Sequence, residues 1–269
     1  MAHPKQILFR YGLHPKKSLG QNFLVDDSLL SAIADAAQLS DSDEVVEIGS
    51  GLGDLTFQLA SRSKRVVGVE IDDRLTPILR ERLADLPNVE ILHGNILDFD
   101  PGEAFENPYK VVGNLPYYIT GAILRLFLSA KSKPSLMVCT VQKEVAQRII
   151  ALPGDMSLQS LTVQYYANAK IIRTIKAGSF WPKPDVDSAL IRLEVHETLP
   201  LSNADEAGFF RLAKVGFSQK RKQLQKNLRQ LGFSASELSS FLSQAGIDGT
   251  RRAETVSVEE WLKLYQALT

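Results

Sequence analysis

Up to Val195 the apolar positions fall in short dense runs separated by amphipathic stretches. Val45-Val46-Glu47-Ile48, Arg65–Glu70, Val89–His93, Lys110–Asn114 and Ser135–Val141 are rich in β-branched and aliphatic residues, and each reads as a buried strand. Between them, Leu55, Phe57, Leu59 and Ala60, then segments 75–84 and 119–128, space their apolar residues as helices do. Asp54 stands where it could cap the first of these helices. Strands alternating with helices at this spacing predict an α/β fold, a parallel sheet with helices on both faces. Lys170–Ile175 and Ser188–Val195 predict a later pair of strands, set as a hairpin at the end of that sheet.

The pattern changes near Leu199-Pro200-Leu201. From Ala204 onward no strand-like run occurs, and Phe210, Ala213, Phe217, Leu224, Leu228 and Leu231 follow helical spacing. Ser234 with Glu237 forms a capping-box signature, and Ser257 is placed to cap a last helix. The expected division is 1–199 for the α/β domain and 200–269 for a small all-helical C-terminal domain.

Composition narrows the function classes. The 269 residues are 44% hydrophobic and 23% charged, enough for a packed core. Lysine plus arginine equals aspartate plus glutamate at 31 each, which excludes a polybasic coat for nucleic acid. A single cysteine, Cys139, excludes an internal disulfide framework, and four scattered histidines offer no ligand-spaced pair, so no metal is expected. No apolar run approaches the ~20 residues of a membrane span, and no signal-peptide core opens the chain, so a soluble cytoplasmic protein is expected. The charge is uneven, however. Residues 32–110 hold sixteen acids against seven bases, while Arg211–Arg229 holds seven bases and no acid. In a helix from Lys220 onward, Lys222, Lys226 and Arg229 would share one side. Such a run is either a solvated face or a grip on RNA phosphates; the basic Lys5, Arg10, Lys16 and Lys17 at the other end favour the second.

The candidate chemistry lies at the strand ends. The first strand runs into Gly49-Ser50-Gly51-Leu52-Gly53, a turn that brings backbone N–H groups near a ligand, or serves only as a turn. Glu70 closes the second strand, where a carboxylate accepts hydrogen bonds from both hydroxyls of a ribose. Asp54 stands where a dinucleotide fingerprint has glycine, and no P-loop is present, so a cofactor without pyrophosphate is favoured, such as S-adenosylmethionine. Asn114-Leu115-Pro116-Tyr117 ends the fourth strand. The side-chain carbonyl of Asn114 and the backbone carbonyl of Leu115 suit the two N–H bonds of an exocyclic amine. Pro116 fixes the backbone, and Tyr117 offers a ring for stacking on a base.

These stretches resemble the bacterial small-subunit ribosomal RNA adenine N6,N6-dimethyltransferases over essentially the whole chain. The matching blocks are Lys17–Leu24, Glu47–Gly53, Val69–Asp72, Asn114–Tyr118, Phe180–Ser188 and Phe217–Lys222. The resemblance implies a Rossmann-like class I methyltransferase domain, with S-adenosylmethionine contacted by Asn22, Leu24, Gly49, Gly51, Glu70, Ile71, Asn95 and Asn114. It implies a catalytic group of Asn114, Leu115, Pro116, Tyr117 and Phe180, the last sandwiching a flipped adenine against Tyr117. It assigns rRNA binding to Lys220, Arg221, Lys222, Lys226 and Arg229 in the helical domain. The implied substrate is a pair of adjacent adenines in a hairpin loop near the 3′ end of small-subunit (16S) rRNA, modified by a monomer without a metal. Two departures stand out: Asn95 replaces the family's usual aspartate beside the cofactor's adenine, and Ser50 replaces a commoner proline. Resistance methyltransferases of large-subunit rRNA share the fold, but Lys17–Leu24 and Phe217–Lys222 favour the small-subunit enzyme. A subunit-assembly factor remains a parallel reading, and Leu115 speaks against a DNA adenine methyltransferase.

Overall fold

A computed structural model describes residues 3–106 and 108–268. Its strands are β1 (Phe23–Leu24), β2 (Glu44–Ile48), β3 (Arg65–Glu70), β4 (Val89–His93), β5 (Tyr109–Asn114), β6 (Leu136–Gln142), β7 (Ala167–Ile175), β8 (Phe180–Trp181) and β9 (Ser188–Val195). Among the described residues, seven strands form one sheet in the order β4-β3-β2-β5-β6-β9-β7, and β1 pairs with β8 apart from it. The neighbours from β4 to β6 are parallel, and β9 runs antiparallel to β6. Parallel neighbours need crossovers, which helices such as Asp54–Ala60, Thr76–Arg82 and Thr120–Leu128 supply. Val45, Val46, Val66, Val67, Val111, Val112 and Val138 are fully buried, as strands covered on both faces must be.

The sheet's order reverses between β2 and β5, and such a switch point opens a crevice at the strands' carboxyl ends. The register makes this concrete. Ile48 pairs with Val69 on one side and with Gly113 on the other. Gly49, Glu70 and Asn114 therefore each stand one residue beyond the same rung.

The chain forms two compact units: one runs to Ala146 and adds Asn168–Val195, while the other comprises Gln147–Ala167 and everything from His196. The expected boundary near residue 200 thus misses a segment. The helix Leu158–Tyr166 belongs with the helical unit because Tyr165 stacks on Phe209 and Tyr166 on Phe210, with ring centroids 5.1 Å and 5.7 Å apart. In the same unit Trp261 is fully buried and stacks on Phe217. Ser234 and Ser257 form capping boxes with Glu237 and Glu260.

Two local expectations are corrected. Gly53, not Asp54, is the N-cap of Asp54–Ala60, and Asp54 instead pairs with Arg82 at 2.7 Å. No helix starts at Lys220: Asn203–Gly216 ends, the chain turns, and the next helix is Leu224–Leu228. The buried Asn227 holds that turn closed by donating to the carbonyls of Gly216 (2.6 Å) and Gln219 (3.1 Å). Lys220, Arg221 and Lys222 consequently lie in a turn, not on the helical face with Lys226.

Candidate functional site

The glycine turn is built from backbone that other residues rarely adopt. Gly49, Gly51 and Gly53 have φ of 72°, 58° and 85°, all in the left-handed region. A Cβ on Gly49 would meet only open space, so it is conformation and not crowding that demands glycine there. Glu70 holds the turn in place. One carboxylate oxygen accepts the Gly51 N–H at 2.8 Å and the other accepts the Asp72 N–H at 2.9 Å. Each oxygen keeps a lone pair for a ligand hydroxyl. Burial pushes the Glu70 carboxyl above its usual range, against those two bonds.

The resulting cavity is lined by Asn22, Leu24, Gly49, Gly51, Glu70, Ile71, Asn114 and Pro116 among the residues expected from the sequence. Its electrostatics are one-sided. Glu47, Asp54 and Glu70 line it, and among the described residues no lysine, arginine or histidine does. No cation lines it for a phosphate, whereas a cationic ligand would meet Glu70 and, above about pH 7, an ionised Glu47; Asp54 is already paired with Arg82. Glu47 opens the Glu47–Gly53 block, but the sequence assigns it no role. It is buried, receives the Thr56 hydroxyl at 2.5 Å, and desolvation pushes its carboxyl up to about 7.

Asn114 joins the cavity to its covering segment. Its amide nitrogen donates to the Asn22 carbonyl at 2.8 Å, while its own side-chain oxygen is buried without a hydrogen-bond partner. A buried acceptor left unmatched costs about 1–3 kcal/mol, so a ligand donor at that point is favoured. The Asn22 segment is latched from outside. Asp72 accepts from Lys16 Nζ (3.3 Å), Gln21 Nε2 (2.8 Å) and Arg74 Nε (2.8 Å). Burial alone would push the Asp72 carboxyl up, but Arg74 and Gln21 outweigh it and hold it well below the usual carboxylate range. Lys16 and Arg74 lie outside the matching blocks, and Gln21, inside Lys17–Leu24, is assigned no role there.

Four expected residues lie outside the lining of this cavity. Asn95 caps the turn Ile96–Asp98 by accepting the Leu97 N–H at 3.1 Å. Leu115 is buried and donates its N–H to the Thr140 carbonyl at 3.1 Å. Tyr117 is half-buried, its hydroxyl 2.6 Å from that of Ser188. Phe180 is only 3% exposed and packs in a core group with Leu24, Leu29 and Leu30. Its strand β8 pairs Phe180 with Leu24 and Trp181 with Phe23, tying it to the segment that carries Asn22. Tyr118, by contrast, is 60% exposed. In the helical unit, Lys220, Arg221, Lys222, Lys226 and Arg229 are all exposed, as are Arg211 and Lys214. Among the described residues no cluster of three or more histidine, cysteine, aspartate or glutamate side chains suits a metal, and no helix is long and apolar enough to cross a membrane.

Comparison with known proteins covers nearly the whole chain. Residues 12–269 match the family model described as "Ribosomal RNA adenine dimethylase". A protein of Dehalococcoides mccartyi (strain CBDB1) named "Ribosomal RNA small subunit methyltransferase A" is 45% identical over 98% of this chain and 92% of its own length. One of the same name from Bacillus pumilus (strain SAFR-032) is 41% identical over 98% of this chain and 94% of its own. Among solved structures, a dimethyladenosine transferase from Plasmodium falciparum is similar with a TM-score of 0.80 at 25% identity, covering 90% of this chain and 95% of its own. The 23S rRNA methyltransferase ErmE is similar with a TM-score of 0.75 at 30% identity, covering 92% and 99%.

Proposed function

The chain belongs to the ribosomal RNA adenine dimethylase family, and on that footing we propose that it transfers methyl groups from S-adenosylmethionine to N6 of two adjacent adenines in small-subunit (16S) rRNA. The observation that carries this reading is the buried, unpartnered side-chain oxygen of Asn114 at the wall of an anionic cavity. S-Adenosylmethionine supplies a methyl carbon on a sulfonium, which leaves as a neutral thioether. It has a ribose for Glu70, no phosphate, and a net positive charge suited to Glu47 and Glu70. Asn22 and the glycine turn complete its contacts.

The chain's own work is positioning. An exocyclic amine is a poor nucleophile because its lone pair is delocalised into the ring. Asn114 Oδ1 and the Leu115 carbonyl accept its two N–H bonds and draw the lone pair out of the ring plane. Pro116 fixes the backbone between them, and Tyr117 stacks on the base. No general base is required, since the methylated nitrogen is strongly acidic and sheds its proton. Cys139 takes no part: it is fully buried in β6, and burial pushes its thiol up to about 12.

A base inside a duplex cannot reach this cleft, so the target is a loop adenine that swings out. The exposed bases from Arg211 to Arg229 supply the grip on phosphates. The name of the 41–45% identical relatives supports the small subunit over the large one. One chain carries every residue of the site, so a monomer suffices, and small subunits place its work in the cytoplasm. To test the chemistry, unmethylated small subunits are incubated with the protein and S-adenosylmethionine, and their RNA is digested to nucleosides. N6,N6-Dimethyladenosine is expected with the parent and not with Asn114→Ala. Its absence with the parent, or its undiminished formation by the variant, would overturn the reading.

A further inference from the structure

The phenol of Tyr117 is held by one residue from a distant part of the chain, and that residue sits at the ligand edge of the sheet for a topological reason. β9 runs antiparallel to β6, so its first residue lies where the parallel strands end. Ser188 pairs with Gln142, the last residue of β6, as Thr140 pairs with Asn114 at the end of β5. Ser188 is 0% exposed, and its hydroxyl stands 2.6 Å from the Tyr117 hydroxyl. Its backbone is anchored by the residue before it. Asp187 accepts the Lys143 N–H on its carbonyl at 3.0 Å, and the Ala177 N–H and Lys176 Nζ on its carboxylate at 3.0 Å and 2.9 Å. The serine is thus a fixed point, whereas Tyr117 belongs to a one-turn 3-10 segment, Tyr117–Ile119, with no side-chain cap.

We propose that Ser188 is a positioning residue for methyl transfer: by bonding the Tyr117 hydroxyl it fixes the position of the ring on which the target adenine stacks. The proposal rests on the base-stacking reading of Tyr117. A tyrosine ring rotates about two bonds, and stacking aligns the amine only if both are held. The phenol oxygen lies on the axis of the second rotation, so the bond to Ser188 holds the first, which sets where the ring stands, and leaves the second to packing. A phenylalanine at position 117 would stack equally well but lose this alignment.

The test is a double-mutant cycle on methylation of unmethylated small subunits, with Ser188→Ala, Tyr117→Phe and the pair. Ser188→Ala is nearly isosteric, and Tyr117→Phe breaks the same bond without touching the buried strand, so one variant reports even if the other folds poorly. Each single variant is expected to lower kcat about tenfold, the scale of one lost hydrogen bond, with KM for the subunit and the Kd of S-adenosylmethionine unchanged. The double variant is expected to be no slower than either single. Parent kcat in both single variants, or single effects that multiply in the double, would overturn the proposal. Tyr117→Ala separates the layers: a large loss there with parent kcat in Ser188→Ala sinks the positioning role alone. Parent kcat in Tyr117→Ala sinks the stacking reading beneath it.

Discussion

Glu47→Gln isolates the least expected group in the cavity. In the unfolded chain this carboxyl titrates near 4.5, and burial in the fold raises it to about 7. The folded state therefore holds the proton more tightly than the unfolded one. Below pH 4.5 both states are protonated and the group contributes nothing. Between about 4.5 and about 7 the unfolded chain ionises first, so stability falls as pH rises. Above pH 7 the full penalty stands: two and a half units at ~1.36 kcal/mol each is about 3 kcal/mol. Glutamine keeps the shape and an oxygen for the Thr56 hydroxyl but cannot ionise. Urea unfolding of parent and variant across this range should show the variant gaining about 3 kcal/mol relative to the parent between pH 4 and pH 8. A cationic ligand beside Glu47 favours its ionised form, so S-adenosylmethionine affinity should also increase as pH rises through about 7, and lose that dependence in the variant. A difference in stability that stays flat with pH would refute a buried acid of raised pKa at this position.

Three further outcomes are expected. Glu70→Ala should weaken S-adenosylmethionine by about 1–3 kcal/mol in calorimetry, because the ribose loses its acceptor and the Gly51 N–H loses its tether; unchanged affinity in a folded variant would remove Glu70 from the site. Phe180→Ala should destabilise the fold by about 3–5 kcal/mol in thermal unfolding, since the ring packs in the core; parent stability with lost turnover would mean the ring serves the base alone. Alanine at Lys222, Lys226 and Arg229 together should weaken subunit binding and flatten its salt dependence, by about 0.7–0.9 in slope for each phosphate no longer neutralised. S-Adenosylmethionine affinity should not move, and a parent-like salt slope would mark the run as an ordinary solvated face.

The parallel strands are legible in the sequence because each is a β-branched run buried on both faces, and the carboxyl-end crevice follows from their alternation with helices. Gly49, Glu70 and Asn114 can be placed together for that reason alone. The pairing of β1 with β8 leaves no such trace, since two-residue strands have no periodicity. The latch at Asp72 is equally silent: its partners Lys16 and Gln21 lie 56 and 51 residues away in sequence. The helix Leu158–Tyr166 reads as part of the α/β domain because no change in composition marks it, and only the stacking of Tyr165 and Tyr166 assigns it elsewhere. The basic run is visible as charge, but its helical phase is not, because a buried asparagine closes a turn that helical spacing does not foresee.

The specificity for adenine N6 in the small subunit is open to a single direct measurement. Unmethylated small and large subunits are incubated separately with the protein and S-adenosylmethionine, and both RNAs are copied by reverse transcriptase. Dimethylation at N6 blocks the pairing edge of adenine, so copying halts at each modified base. Stops at two adjacent adenines in a hairpin loop near the 3′ end of the small-subunit RNA, dependent on Asn114, are expected. Stops confined to the large-subunit RNA, or none in either, would contradict the assignment.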